Sequence, residues 1–123
     1  MTTSDANARL ARLATLCLAL PQATSSGGQH TKFSVQGRTY AYHLVDHHGD
    51  GRVALCCKGP ADETILLAKA DPRRFFIPPY LGPKGWFALD LEVSDIDWDE
   101  IRELVVQSYR LVAPKRLAAL VDD

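Results

Sequence analysis

The chain has 123 residues, 46% of them hydrophobic and 24% charged, and its 14 basic and 15 acidic residues leave a net charge of −1. That balance excludes a disordered, collagenous or coiled-coil chain, leaves room for one domain (1–123) with a single core, and lacks the large basic excess of a dedicated DNA binder. The three cysteines are a poor disulfide framework, no apolar run approaches the roughly 20 residues that span a bilayer, and Arg9 and Arg12 interrupt the apolar part of the first segment, so a cytoplasmic protein with no membrane association is expected.

The first predicted element is a helix beginning near Ser4, its N-cap, with Leu10, Leu13, Ala14, Cys17 and Leu20 on one apolar stripe and Pro21 at its end. The small polar residues from Gln22 to Gly28 read as a flexible connection. From Thr31 the period changes to two: Phe33 and Val35 alternate with Lys32 and Ser34, and Gln36 and Gly37 turn the chain. Tyr40, Tyr42 and Leu44 then alternate with Ala41, His43 and Val45. Beyond a polar cluster from His47 to Gly51, a third strand runs from Val53 to Lys58, ending at Gly59 and Pro60.

Asp62 is placed to cap a short helix that carries Ile65, Leu66 and Ala68 as far as Ala70. Phe75, Phe76 and Ile77 form a short strand, expected to pair with a strand from Trp86 to Leu91 that returns after "PPYLGPKG". Asp97 followed three positions later by Glu100 is a capping-box arrangement and starts a helix with Trp98, Ile101, Val105 and Val112 on its buried side. Pro114 interrupts or kinks it, and Lys115 to Leu120 continue as a last turn or short helix. The sum is an α+β single domain with an antiparallel sheet, in the order helix, three strands, helix, two strands, helix.

No pattern of side chains in this order carries catalysis. His43, His47 and His48 lie close in sequence with His30 at the start of the first strand, but no Cys-rich or carboxylate-rich partner is spaced to complete a metal site, and a polar hairpin tip explains them. Cys56 and Cys57 are adjacent on a strand, so they point to opposite faces and read as packing residues. No serine sits in a nucleophile elbow, and Gly27-Gly28 follows a helix instead of opening one. The expectation is a non-enzymatic protein with no catalytic residues, no metal and no cofactor.

Charge is unevenly spread. From Gly28 to Ala88 eight basic residues face five acidic ones, a net of +3, whereas from Leu89 to Glu103 seven acids face only Arg102, a net of −6. The basic zone, with Phe75, Phe76, Tyr80 and Trp86 as aromatic neighbours, has the composition of a nucleic-acid surface: cations for phosphates, rings for bases.

The stretch "DPRRFFIPPYLGPKGWFALDL", followed by "DWDEIRELVVQSYRLVAPKRLAAL", resembles the MmcQ/YjbR-like proteins, small bacterial domains of largely unknown function. Trp86 after a glycine-rich turn and the Ser108-Tyr109-Arg110 run on the last helix are the most specific part of the resemblance. It implies a CyaY-like or secretion-chaperone-like fold, and it implies DNA binding by a double wing of two β-hairpins flanking a helix. Here the wings are the turns around His47 to Gly51 and Tyr80 to Lys84, with the Asp62 to Ala70 helix between them. Lys32, Arg38, Arg52, Lys58, Arg73, Arg74 and Lys84 become the candidate phosphate contacts, with Tyr80 and Trp86 as aromatic candidates. The alternative is a protein-interaction or chaperone-like domain, suggested by the proline-fixed apolar surface from Phe75 to Leu81, acting on a protein partner as a monomer or homodimer.

Overall fold

A computed structural model describes residues 3–78, 85–93 and 95–121. In chain order the elements are α1 (Thr3–Leu18), β1 (Ala23–Gly27), β2 (Thr31–Val35), β3 (Arg38–Val45), β4 (Val53–Lys58), α2 (Ala61–Ala70), β5 (Phe75–Phe76), β6 (Trp86–Asp90), α3 (Trp98–Val112) and α4 (Lys115–Ala118). The six strands form one antiparallel sheet in the order β1-β2-β3-β4-β6-β5. β5 and β6 pair as expected, through Phe75↔Leu89 and Phe76↔Ala88.

The sheet has two unlike faces. Phe33, Val35, Ala41, Leu55, Cys57, Phe75, Phe87 and Leu89 point to one side, where Leu13 and Cys17 of α1, Leu67 of α2 and Ile101, Val105 and Tyr109 of α3 join them in the main core. Among the described residues the helices thus lie on that side. On the other side a smaller cluster forms from Leu44, Cys56 and Trp86, with Tyr42 packed against it. Cys56 and Cys57 divide between these clusters, as strand alternation requires.

Four local features differ from the sequence expectation. The polar run from Gln22 to Gly28 is an edge strand, paired from Ala23↔Val35 to Gly27↔Thr31. Thr24, Ser25, Ser26 and Gly27 are all exposed, so this strand has no hydrophobic alternation to read and is held by its backbone ladder. β3 carries a bulge: the register jumps from Phe33↔Ala41 to Ser34↔Thr39, leaving Tyr40 as the extra residue. Tyr40 therefore turns into the main core beside Ala41, not onto the side of Tyr42 and Leu44, and its hydroxyl donates to the Cys17 carbonyl at 2.9 Å. Helix α1 is already helical at Thr3, so Ser4 lies inside its first turn. Helix α2 has Pro60 at its N-cap with no side-chain cap, and Asp62 sits in the first turn, where the helix dipole favours a carboxylate.

Asp97 caps α3 as expected, its carboxylate accepting from the Asp99 and Glu100 amides at 3.1 and 3.2 Å. Ser108 and Tyr109 add to the buried side of α3, and Tyr109 packs edge-on to Tyr40 with ring centroids 5.2 Å apart.

Candidate nucleic-acid interface

Register places a single row of residues across the helix-free face. Lys32 lies opposite Tyr42, Tyr42 opposite Cys56, Cys56 opposite Ala88, and Ala88 opposite Phe76. At about 4.8 Å per strand the row is roughly 19 Å long. Cys56 and Ala88 in its middle are buried, leaving Lys32 exposed at one end, Tyr42 half-buried, and Phe76 half-buried at the other end. The Arg52 guanidinium lies 4.3 Å over the Phe76 ring, so a second cation marks the far end. Lys58, half-buried, lies opposite Trp86 on the same face.

Beyond Lys32 the same face is rich in hydroxyls. Ser26 lies opposite Lys32 and Thr24 opposite Ser34, both on the exposed edge strand, and the Ser34 and Thr39 hydroxyls are 3.3 Å apart. Sequence reasoning missed these residues and Tyr42. The signal was their shared parity with Lys32 along β2, hidden because β1 was not recognised as a strand.

Three of the candidate cations, Lys32, Arg52 and Lys58, therefore share one face, and Arg38, Arg73 and Arg74 do not. Arg38 opens β3 at the hairpin end, lining a shallow hollow with Gln36, Val112, Ala113 and Pro114 beside the end of α3. Arg73 is exposed on the turn after α2. Arg74 is committed to acids: it pairs with Glu100 and lies 3.5 Å from Asp71, with Phe75 beneath its guanidinium at 5.1 Å. Trp86 is 7% exposed and packs edge-on to Tyr42 at 5.2 Å, so it supports the face from within instead of offering a ring to a ligand. Lys84 and Tyr80 lie outside the described residues.

Of the two turns read as wings, the one around Tyr80 to Lys84 lies outside the described residues. The β3–β4 turn lies at the Val45↔Val53 end, where the Leu91 amide donates to the Val53 carbonyl. The β5–β6 connection enters at Trp86, which pairs with Lys58 at the far end of β4. The first tip is also acidic and self-satisfied, with the Asp46 and Asp50 carboxylates accepting the Gly51 and Arg52 amides at 2.7 and 2.8 Å.

All four histidines gather near that tip. His30 and His47 have ring centroids 5.6 Å apart, His47 and His48 4.3 Å. His30 Nδ1 accepts the Val45 amide at 3.0 Å, which puts its proton on Nε2 and turns away the lone pair a metal would need. His43, 4% exposed, has neither ring nitrogen hydrogen-bonded, and burial first, then the charge of His30, pushes its titration below the usual range. Among the described residues no group of three or more His, Cys, Asp or Glu side chains is placed to hold a metal. Burial pushes the Cys17 and Cys56 thiols up to about 12 and Cys57 well above its ordinary value. The Ser108 hydroxyl is taken by two backbone groups, the Tyr40 carbonyl at 2.6 Å and the Lys58 amide at 2.8 Å.

Fold and site together define an α+β two-layer domain with helices on one side of an open antiparallel sheet. The chain belongs to the YjbR family, whose model matches residues 18–111. A crystal structure of the Deinococcus radiodurans protein DR2400, a DUF419 domain, is similar to it, with a TM-score of 0.69 and 24% identity over 87% of this chain and 80% of that one. That likeness bears on the fold. No curated protein matches the chain significantly. Among the described residues no helix is long and apolar enough to cross a membrane.

Proposed function

We propose that this protein is a non-enzymatic nucleic-acid-binding module whose contact surface is the helix-free face of its sheet. The observation that carries the reading is the meeting of Lys32, Arg52 and Lys58 with Tyr42 and the hydroxyls of Ser26, Ser34 and Thr39 on that face. Lys, Arg, Ser, Thr and Tyr are the donors that proteins direct at phosphate oxygens, and they position a strand without reading its sequence. An enzymatic reading has less support: burial keeps the thiols protonated and His43 neutral, while Ser108 is bound on both sides. Three buried free thiols suit a reducing compartment, the cytoplasm.

The test is a titration of labelled DNA and RNA at several salt concentrations. Micromolar binding is expected at low salt, with an affinity that falls as about two to three powers of salt, as three phosphate contacts at 0.7–0.9 each require. Replacing Lys32, Arg52 and Lys58 by Gln removes most of that slope. Absence of binding to any nucleic acid at low salt overturns the reading.

A second reading, a protein-interaction domain, is favoured by the outer side of the helical layer. There Ile65, Leu66 and Leu111 are 48%, 63% and 53% exposed, and an open groove of about 570 Å3 runs along α3 between Pro60, Leu104, Gln107 and Leu111. Its partner presents an apolar segment, and Leu66→Lys or Leu111→Lys abolishes the complex while leaving nucleic-acid affinity unchanged.

A further inference from the structure

We infer that the nucleic acid recognised is single-stranded and lies along the row from Lys32 to Arg52; this rests on the proposed nucleic-acid-binding reading and narrows it to one class of ligand. Three observations carry it. The first is the shape of the surface: cations stand at the two ends of the row, roughly 19 Å apart, with Tyr42 half-exposed between them. A short extended strand can set phosphates against both ends of such a row while a base meets Tyr42, and single-strand sites on other sheet surfaces take about 4–16 nucleotides.

The second is the arrangement of the turns. Of the two candidate wings only the β3–β4 turn is among the described residues, and it lies at the Val45↔Val53 end of the sheet, away from Lys58 at the other end of β4. The third is charge. The β3–β4 tip that would enter a groove carries the Asp46 and Asp50 carboxylates beside its histidines, and both are held there by backbone amides. Carboxylates facing phosphates repel them, whereas the sheet face bears Lys32, Lys58 and Arg52, with Asp90 opposite Ala54 and Glu92 accepting the Val53 amide at 3.1 Å at the Arg52 end.

Tyr42 is the residue that distinguishes the two ligands. A duplex keeps its bases paired and offers a sheet only phosphates, whereas a single strand lets one base stack on a ring, worth a tenfold or greater change on truncation to Ala. The Tyr42 ring is fixed edge-on to Trp86, so it is held in place before binding.

The experiment is a fluorescence-anisotropy titration, at one low salt concentration, of a labelled ten-nucleotide single strand and of the same strand annealed to its complement. It uses the full chain, Tyr42→Ala, Tyr42→Phe and Arg73→Gln. The expected result is at least tenfold tighter binding to the single strand, lost in Tyr42→Ala, kept in Tyr42→Phe and unaffected by Arg73→Gln. Equal or tighter binding to the duplex, or an undiminished Tyr42→Ala protein, overturns this inference and leaves the nucleic-acid reading standing. No binding to either form overturns both. Circular dichroism of Tyr42→Ala separates lost stacking from lost fold, and retained affinity in Tyr42→Phe shows that the ring, and not the hydroxyl, is what the strand meets.

Discussion

The Ser108 hydroxyl of α3 donates to the Tyr40 carbonyl at 2.6 Å, on the residue where β3 bulges. The same oxygen accepts the Lys58 amide of β4 at 2.8 Å, so one fully buried side chain ties the helical layer to two central strands. A bulge leaves backbone groups out of the ladder, and a helix hydroxyl satisfies them here.

Ser108→Ala strips the Tyr40 carbonyl and the Lys58 amide of this partner at a site with no water access. The expected loss of stability is about 1–3 kcal/mol. It is read as a lower urea midpoint at unchanged slope. A shift below about 0.5 kcal/mol, the scale of a neutral surface change, would show that the bridge carries no weight.

His43 makes the domain sensitive to acid. In the unfolded chain it takes up a proton near 6.5, whereas in the folded chain burial and then the charge of His30 hold that uptake to lower pH. The unfolded state therefore binds more protons in between. Stability from keeping His43 neutral is complete above 6.5 and is lost as pH falls below it, at up to about 1.4 kcal/mol per pH unit. In His43→Leu this part of the slope vanishes, while stability at pH 7.5 is unchanged or higher because no ring nitrogen is left unbonded. Parallel pH profiles for the two proteins would refute the assignment.

Arg74 belongs to the scaffold, not to the ligand surface. Its pairs with Glu100 and Asp71 are about a third exposed, so solvent screening limits them to roughly 1 kcal/mol at most. Arg74→Gln is expected to lower the urea midpoint slightly and to leave nucleic-acid affinity within twofold, whereas Arg52→Gln weakens binding with little change in stability. The reverse pattern would move the interface to the other side of the sheet.

Gly27 allows the tight turn between β1 and β2. At φ +126° its Cβ would lie 2.0 Å from the His30 carbonyl oxygen. Gly27→Ala is expected to detach β1, seen as fast amide exchange at residues 23–27 with slow exchange kept in β3 and β4. Continued protection of β1 would contradict this.

Most of the fold was legible because most of its elements bury one face. Phe33 with Val35 and Ile101 with Val105 show the period of the element they form, Val53 to Lys58 is a short apolar run bounded by turn residues and buried on both faces, and Asp97 announces the start of α3. β1 was illegible for the opposite reason, since Thr24 to Gly27 bury nothing and only pairing with β2 makes them a strand. The Tyr40 bulge was hidden too, because Tyr40 and Tyr42 have the same parity until the register shifts. For the candidate site, sequence supplied the cations but not their placement. Lys32, Arg52 and Lys58 come from three segments and share a face only through the register, while Arg74 lies among acids that folding brings to it.

The most direct test of the sheet face as the contact surface is a backbone-amide chemical-shift titration of the labelled protein with a short single-stranded oligonucleotide. Binding at that face predicts saturable shifts concentrated at Ser26, Lys32, Ser34, Tyr42, Arg52 and Lys58, with α2 and α3 unmoved. Shifts concentrated on α2 and α3, or none at millimolar oligonucleotide in low salt, would contradict it.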